Sequence, residues 1–477
     1  MSWLESIVGW GNELLWTYVL IALLLILGVY FSIRTNFVQF RMIKEMVKLL
    51  GEGATVSKDK KRRGVSSFQA FSISTASRVG TGNLAGVALA ISLGGPGAVF
   101  WMWIIALIGA ATAFVESTLA QIYKVKDDFG FRGGPAYYME KGLNKRWLGI
   151  LFSVLITFTF GLVFNAVQAN TISLAFEQSF GLNRFVFAIV ISAIVAVIIF
   201  GGIKRIARVA ETIVPFMAIV YLLIALYILV VNITELPSVI ALIVKSAFGF
   251  EEAVGGGVGA ALMNGIKRGL FSNEAGMGSA PNAAATANVS HPAKQGLIQT
   301  LSVFTDTILI CSATAFMIIL SGVYTGSNDG IQLTQQAMNT HLGDWAGITI
   351  AVFIFMFAFS SVVGNYYYGE SNIGFMRSGN KSWMFLYRLA VIGMVFFGSV
   401  AKIAIVWSLA DLFMALMALV NLIAITMLGK IAFATLKDYL AQKREGKDPL
   451  FDPRTVGLHN TEVWDEEREY RQKASSE

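Results

Sequence analysis

Apolar residues in this chain come in blocks of about 20, the length at which a helix crosses a bilayer. The first block is "LLWTYVLIALLLILGVYFSI", Leu14 to Ile33. No basic region precedes it and no small-residue cleavage site follows, so it reads as a retained helix and not a leader. Taken in order, the blocks predict eleven spans, at 14–33, 68–91, 97–123, 147–176, 183–201, 209–231, 256–286, 297–321, 345–375, 383–400 and 403–429. The expected fold class is an all-α polytopic membrane protein with eleven transmembrane helices.

Two spans depart from the pattern. The second carries "SRVGTGNLAGVALAI", Ser77 to Ile91, and the seventh carries "GLFSNEAGMGSAP", Gly269 to Pro281. A helix interrupted inside lipid leaves backbone groups unpaired at several kcal/mol each, so a break survives only where it faces protein or a wet cavity. Setting span 1 aside, the breaks open two sets of five helices, and an odd number gives the sets opposite orientation. Matching interruptions in two inverted halves are the general pointer to a transporter site at the midplane. The expected layout is an extra first helix (1–33), a cytoplasmic amphipathic segment (34–66) and a first five-helix repeat (67–232). An extracellular loop (233–254), a second repeat (255–429) and a cytoplasmic tail (430–477) follow. Discontinuous helices 2 and 7 begin the repeats.

Composition narrows the class further. The chain is 55% hydrophobic and 14% charged, against about 25% charged in soluble domains. The net charge of +7 could suggest nucleic acid, but its placement argues for a membrane. Nine Lys or Arg fall in 34–63, six in 124–146 and nine from Lys430 onward, while 1–13 and 322–344 carry none. The positive-inside rule then puts the N-terminus outside and the C-terminus in the cytoplasm. Segment 34–52, "RTNFVQFRMIKEMVKLLGE", reads as an amphipathic helix, either on the inner membrane surface or against the bundle. The tail from Phe451 is polar and expected to be mobile. Cys311 is the single cysteine, and His291, His341 and His459 are scattered, so a disulfide and a metal-catalytic cluster are not expected. No nucleophile–base pair or nucleotide loop is present in the pattern, and no enzyme activity, cofactor, nucleic acid or obligate protein partner is expected.

The breaks are chemically useful. One half-helix start presents N–H groups and a positive dipole end, which suit a carboxylate; one half-helix end presents carbonyls, which suit a sodium ion or an ammonium group. Several intramembrane polar groups are candidates for gating or coupling. Asp306 in "LSVFTDTILI" is one by default, with pairing to Lys267 or Arg268 as the alternative. Arg78 and Asp411 have structural roles equally open. Glu274 can accept an ammonium or balance a cation. Asn165 and Gln168, three apart, share a helix face; Gln168 and Asn170 do not. Ser360 and Ser361 offer hydroxyl oxygens to a hard cation, or bond back to their own helix. Tyr366, Tyr367 and Tyr368 read as an interfacial belt.

"GGPGAVFWMWIIALIG" (Gly94 to Gly109), "GGPAYYMEKGL" (Gly133 to Leu143) and "KRGLFSNEAGMGSAPNAAATA" (Lys267 to Ala287) resemble the alanine or glycine:cation symporter family. The resemblance runs from span 1 through span 11 and implies sodium-coupled uptake of alanine or glycine on a leucine-transporter-like five-plus-five inverted repeat. In that wider fold the first core helix has a run similar to "ASRVGTGN". The match implies Thr81 and Gly82 N–H groups for the carboxylate, and one sodium site from the Ala76 and Val79 carbonyls with Ser360 and Ser361. It assigns Asn83 and Ser272 to a second sodium site and to the substrate. Phe271, Ser272 and Glu274 would line the amino end of the substrate with Phe271 as a lid, and Asn273 joins the set. Arg78 stands where relatives have a small residue, and Asn273-Glu274 replace apolar and hydroxyl groups. The function expected is sodium-coupled symport of a small neutral amino acid by alternating access, with sodium, substrate and membrane lipid as partners. The competing readings are proton coupling through Glu274 or Asp306, and a channel.

Overall fold

Where apolar sequence runs on without a breaker, the backbone satisfies its own hydrogen bonds and the helix continues. A computed structural model describes residues 2–55, 65–127, 130–201, 203–250, 257–326, 328–377 and 381–476. Its described residues are helical apart from connecting turns and one two-stranded hairpin, Val125–Asp127 with Gly130–Arg132. Seven helices are long and apolar enough to cross a membrane: α1 (Glu5–Arg34), α2 (Gly97–Ile122), α3 (Arg146–Phe180), α4 (Pro292–Ser321), α5 (Trp345–Met376), α6 (Lys381–Val400) and α7 (Ile403–Arg444). An eighth arises if the pair Phe216–Val231 and Leu236–Ala247, bent by 103°, is one span. Arg184–Phe200 and Gly82–Gly94 are shorter apolar helices. The apolar faces of Val197, Leu223, Leu226 and Val230 are exposed, as a lipid-facing surface requires and a soluble one rarely tolerates.

Both Gly-rich stretches interrupt their helices. The first helix runs Ser67–Arg78, stops at Val79 with ψ of 98°, and resumes as Gly82–Gly94. Ser66 begins it with a capping box, its side chain accepting from Gln69 N while Gln69 answers back. The second runs Gly257–Asn273, breaks over Glu274 to Ser279, and resumes as Ala280–Ala285. Here Glu274, Gly276 and Gly278 have φ of 57°, 88° and 84°. Glycine enters that left-handed region without penalty, and Glu274 does not. Helix α2 lies at the centre, packed against both parts of the second broken helix, against α1 and against α4.

Three expectations change. The 233–254 segment contains the helix Leu236–Ala247, which buries Val239 and Ile243 against α2, because a proline-initiated amphipathic run can pack where a polar loop cannot; residues 251–256 lie outside the described set. Tyr366 and Tyr368 are 1% and 0% exposed and form no interfacial belt: their helix is central, so even its aromatic stretch is enclosed. The tail is ordered where described. It ends in a helix, Glu462–Ser476, and Trp464 is fully buried, its Nε1 donating to Gln121 O at 2.8 Å. Segment 34–52 takes the bundle-packed alternative: Ile43–Thr55 buries Met46 and Leu49 against α4 and the Ser67–Arg78 helix. The basic run "KDKKRR" lies outside the described residues.

The tail closes over one end of the bundle. Lys124, buried beneath it, has Nζ 4.1 Å from the Phe131 ring centroid and 4.7 Å from that of Trp464, and donates to Ala287 O. Burial pushes this ammonium down to about 7. Lys141 pairs with Glu462 at 2.7 Å, and Lys126 with Glu466. Cutting Trp464 to alanine removes the anchor, and large-to-small core changes of this kind cost about 3–5 kcal/mol. Trp464→Ala is therefore expected to speed tryptic cleavage at Arg454, which is exposed. Unchanged cleavage would remove Trp464 from the role of anchor.

Candidate functional site

The two breaks face one another, and each is held by side chains from other helices. At the first, Gly80 N donates to Asn83 Oδ1 at 2.9 Å, folding the turn on itself. Gln168 of α3 supplies one oxygen, Oε1, to both Thr81 N (3.2 Å) and Thr81 Oγ1 (2.6 Å). The Thr81 N–H assigned above to a carboxylate is thus occupied by an amide. Ser361 of α5 reaches the other end of the turn: its Oγ lies 3.1 Å from Ala76 O and 3.4 Å from Val79 O. Gly80 must be glycine here, because a Cβ would collide with Ser361 Oγ. Ser360 turns away and donates to Phe357 O in its own helix. Of the four residues assigned to this cation set, three meet and Ser360 does not.

A second oxygen-rich cluster joins the two breaks. Asp306 of α4, buried, accepts from Asn83 Nδ2 at 2.7 Å, Ser272 Oγ at 2.7 Å and Thr307 Oγ1 at 2.9 Å. Asn83 and Ser272 also touch at 3.1 Å, and Cys311 Sγ lies 3.1 Å from Ser272 Oγ. Asp306 pairs with neither Lys267 nor Arg268. Those two turn to Asp411: Arg268 Nη2 sits 2.6 and 2.5 Å from its carboxylate oxygens, and Lys267 Nζ at 3.9 Å. Trp16 donates to the Asp411 carbonyl. Asp411 is one layer removed from the breaks, beside Trp407, over whose ring Arg268 lies at 4.6 Å. Phe271 fills the space between, its ring 4.8 Å from Trp407 and 4.6 Å from Phe164. A Cβ at Gly82 would sit 3.1 Å from the Phe271 ring.

Glu274 bridges the breaks on the opposite side. Its Oε1 accepts from Ser77 Oγ at 3.1 Å and its Oε2 from Ser279 Oγ at 2.6 Å. Asn273 Oδ1 accepts from Ala275 N; its amide nitrogen is buried and unpartnered. Asn165 donates to Gly161 O of its own helix and Asn170 to Gly398 O and Ala401 O, so α3 brings only Gln168 to the first break. Three of the elements meeting here carry π-helical turns, Gly82–Gly86, Thr157–Phe164 and Phe304–Cys311, a widening often found at functional sites.

The sequence reading passed over Glu116. It is 0% exposed in the C-terminal third of α2, and its carboxylate sits in the concavity of the second break. Gly276 N and Gly278 N each donate to it at 3.1 Å, and Asn421 Nδ2 at 2.9 Å. Asn421 also donates to Gly276 O and accepts from Tyr138. Successive N–H groups in left-handed turns make an anion-binding nest, and here the anion is built in. A lone carboxylate within an apolar span, as in "AFVESTLA", was the signal available.

Beyond the breaks, towards the tail, Val65 pairs with the end of the second broken helix: Val65 N donates to Thr286 O and Asn288 N to Val65 O. Gln121 donates to Ala284 O and Ala287 O. The cluster of breaks is thus enclosed on one side by Arg268, Asp411, Trp407 and Phe271, and on the other by Val65, Gln121 and the tail.

A model of the sodium:alanine symporter family matches residues 1–453. A probable sodium/glutamine symporter of Bacillus subtilis is 59% identical, over 97% of this chain and 96% of its own length. An amino-acid carrier protein of the same organism is 57% identical, over 98% and 99%. A sodium/alanine symporter of Methanococcus maripaludis is 37% identical, over 93% and 99%.

Proposed function

This chain belongs to the sodium:alanine symporter family, and from that premise we propose that it couples inward movement of a small neutral amino acid, alanine or glycine, to sodium. Asp306 carries the reading: it is the point where Asn83 of the first break and Ser272 of the second converge on a carboxylate. Carboxylate and hydroxyl oxygens are ligands a hard cation takes, and Asn83, whose Nδ2 now donates to Asp306 while its Oδ1 accepts from Gly80 N, would turn its amide to add a third. The second cation set is Ala76 O, Val79 O and Ser361 Oγ. Around the breaks three buried carboxylates, Glu116, Glu274 and Asp306, face one guanidinium, Arg78. All three accept hydrogen bonds, and a bound cation would offset the cost of holding such carboxylates ionised away from water.

The substrate's carboxylate takes the Gly82 end of the first break, its ammonium faces Glu274, and Phe271 limits the side chain. Repeats 67–232 and 255–429 form the inverted pair, and the N-terminus lies outside. The Arg268–Asp411 layer then closes the outer mouth and the Val65–Ala287 layer the inner one. Alternate opening of the two layers gives transport, driven by the sodium gradient plus about 2.3 kcal/mol per net charge at 100 mV.

Labelled alanine uptake into proteoliposomes tests this. Uptake is expected with an inward sodium gradient and not with a proton gradient alone; the reverse result ends the sodium reading. Glutamine, named for a relative, is the competing cargo, and unlabelled glycine and glutamine as competitors rank the two. Within this scheme Ser361→Ala raises the sodium concentration for half-maximal uptake about tenfold, or about 1.4 kcal/mol, for the loss of one oxygen ligand. Gln168→Ala lowers uptake with little change in sodium dependence, because its oxygen holds the backbone of Thr81 and no cation. Equal shifts in the two variants would refute that division.

A further inference from the structure

At the edge of the first break the structure holds buried donors without hydrogen-bond acceptors. Arg78 is 2% exposed, and its Nε, Nη1 and Nη2 all lack a hydrogen-bond partner. Asn365 Nδ2 is buried and unpartnered as well, and the buried Tyr368 hydroxyl has only Ser77 beside it. These groups lie together around Ser77, whose Oγ is 3.0 Å from Asn365 Oδ1 and 3.1 Å from Glu274 Oε1 and has one proton for the two. Arg78 also acts electrostatically on Glu116, Glu274, Asp306 and Tyr368, yet hydrogen-bonds none of them.

The spacing is orderly. Ser361, Asn365 and Tyr368 stand at i, i+4 and i+7 on α5, one stripe of the helix. Ser361 meets the first break, so Asn365 and Tyr368 continue the same stripe away from it, toward the Val65–Ala287 layer. Arg78 precedes Val79 and Gly80 directly and follows the same direction. A buried guanidinium without an acceptor from the protein is costly. It persists where an acceptor arrives during function. An anionic acceptor matches the Arg78 charge, and a planar carboxylate fits the guanidinium fork.

We propose that Arg78, Asn365 and Tyr368 form a second amino-acid subsite, inward of the breaks, that receives the substrate's carboxylate on its way to the inner mouth. Glu274, whose oxygens accept from Ser77 beside Arg78 and from Ser279 of the second break, keeps the ammonium while the carboxylate exchanges the backbone of the first break for Arg78. The subsite rests on the transport reading above and adds to it a release step with its own residues.

The test measures KM for labelled alanine from each face, in right-side-out and inside-out vesicles. Arg78→Gln is expected to raise KM from the inner face about tenfold, the loss of a charge-assisted contact, with KM from the outer face within twofold of the parent. Arg78→Lys, which keeps the charge and loses the fork, falls between. Equal changes at both faces, or none at the inner face, overturn the subsite. If Arg78→Gln does not reach the membrane, Asn365→Ala and Tyr368→Phe are expected to show the same one-sided change at smaller size, and symmetric behaviour in both overturns it equally. A parent protein that takes up no amino acid would instead defeat the function proposed above, so the two failures are distinct.

Discussion

Asp306→Asn is expected to cut sodium-driven uptake at least about a hundredfold, equivalent to about 2.7 kcal/mol, while leaving the protein folded. Asparagine has the size of aspartate, so packing around α4 is preserved. What changes is charge and polarity at one atom. In the parent, both oxygens accept: from Asn83, Ser272 and Thr307. In the variant one oxygen becomes an NH2 group that points a donor toward donors, and the cation loses its only formal counter-charge in that cluster. A cation held by neutral oxygens alone in a low-dielectric interior binds far more weakly. The measurement is the sodium dependence of alanine uptake in proteoliposomes, with the unfolding midpoint in detergent as the folding control. A variant that keeps the parent's sodium response removes Asp306 from coupling. One that transports without sodium and has lost its response to a proton gradient would favour proton coupling.

Glu116→Ala is expected to be the most destabilising change of a single polar residue near the breaks. Its carboxylate satisfies Gly276 N, Gly278 N and Asn421 Nδ2 together, and it offsets the charge of Arg78. Removing it strands three buried donors where water does not reach, and breaking a buried charged set of this kind costs about 3–5 kcal/mol. The loss appears as a lower apparent unfolding midpoint in detergent, read at a fixed scan rate because such unfolding is commonly irreversible. Glu116→Gln keeps one acceptor oxygen and is expected to fall between alanine and the parent. An alanine variant with the parent's midpoint would mean that the second break holds its shape without the internal anion.

The residues differ in how far their roles could be read from sequence. Gly80 and Gly82, and Gly276 and Gly278, are legible because glycine clusters inside apolar runs have few physical explanations, and the helix does stop at both. Gln168 was legible as a candidate but not as the group that occupies Thr81 N–H. Ser361 and Ser360 are adjacent and chemically identical; only the rotation of α5 decides that the first meets Val79 and the second bonds its own helix. Glu116 was missed although its charge inside an apolar run was visible, because nothing local distinguishes a carboxylate in a nest from one in an ion pair. The aromatic run from Tyr366 misled, since interfacial belts and central helices use the same residues.

By itself the sequence determined the medium and the two interruptions. An apolar run of bilayer length can satisfy its backbone only as helix, and glycine placed within it can only weaken that helix, so both are local consequences of residue type. Family membership is legible for the same reason: it rests on contiguous motifs. The partners of Asp306, Asp411, Glu116 and Arg78 are set by tertiary structure alone. Arg268 and Asp411 are 143 positions apart and Asn83 and Asp306 are 223. Periodicity tells which residues share one helix face; it says nothing of which neighbour that face turns to, which helix packing decides by burying as much surface as it can while leaving each buried charge a partner. Arg78 has carboxylates near it but no hydrogen-bond partner among the described residues.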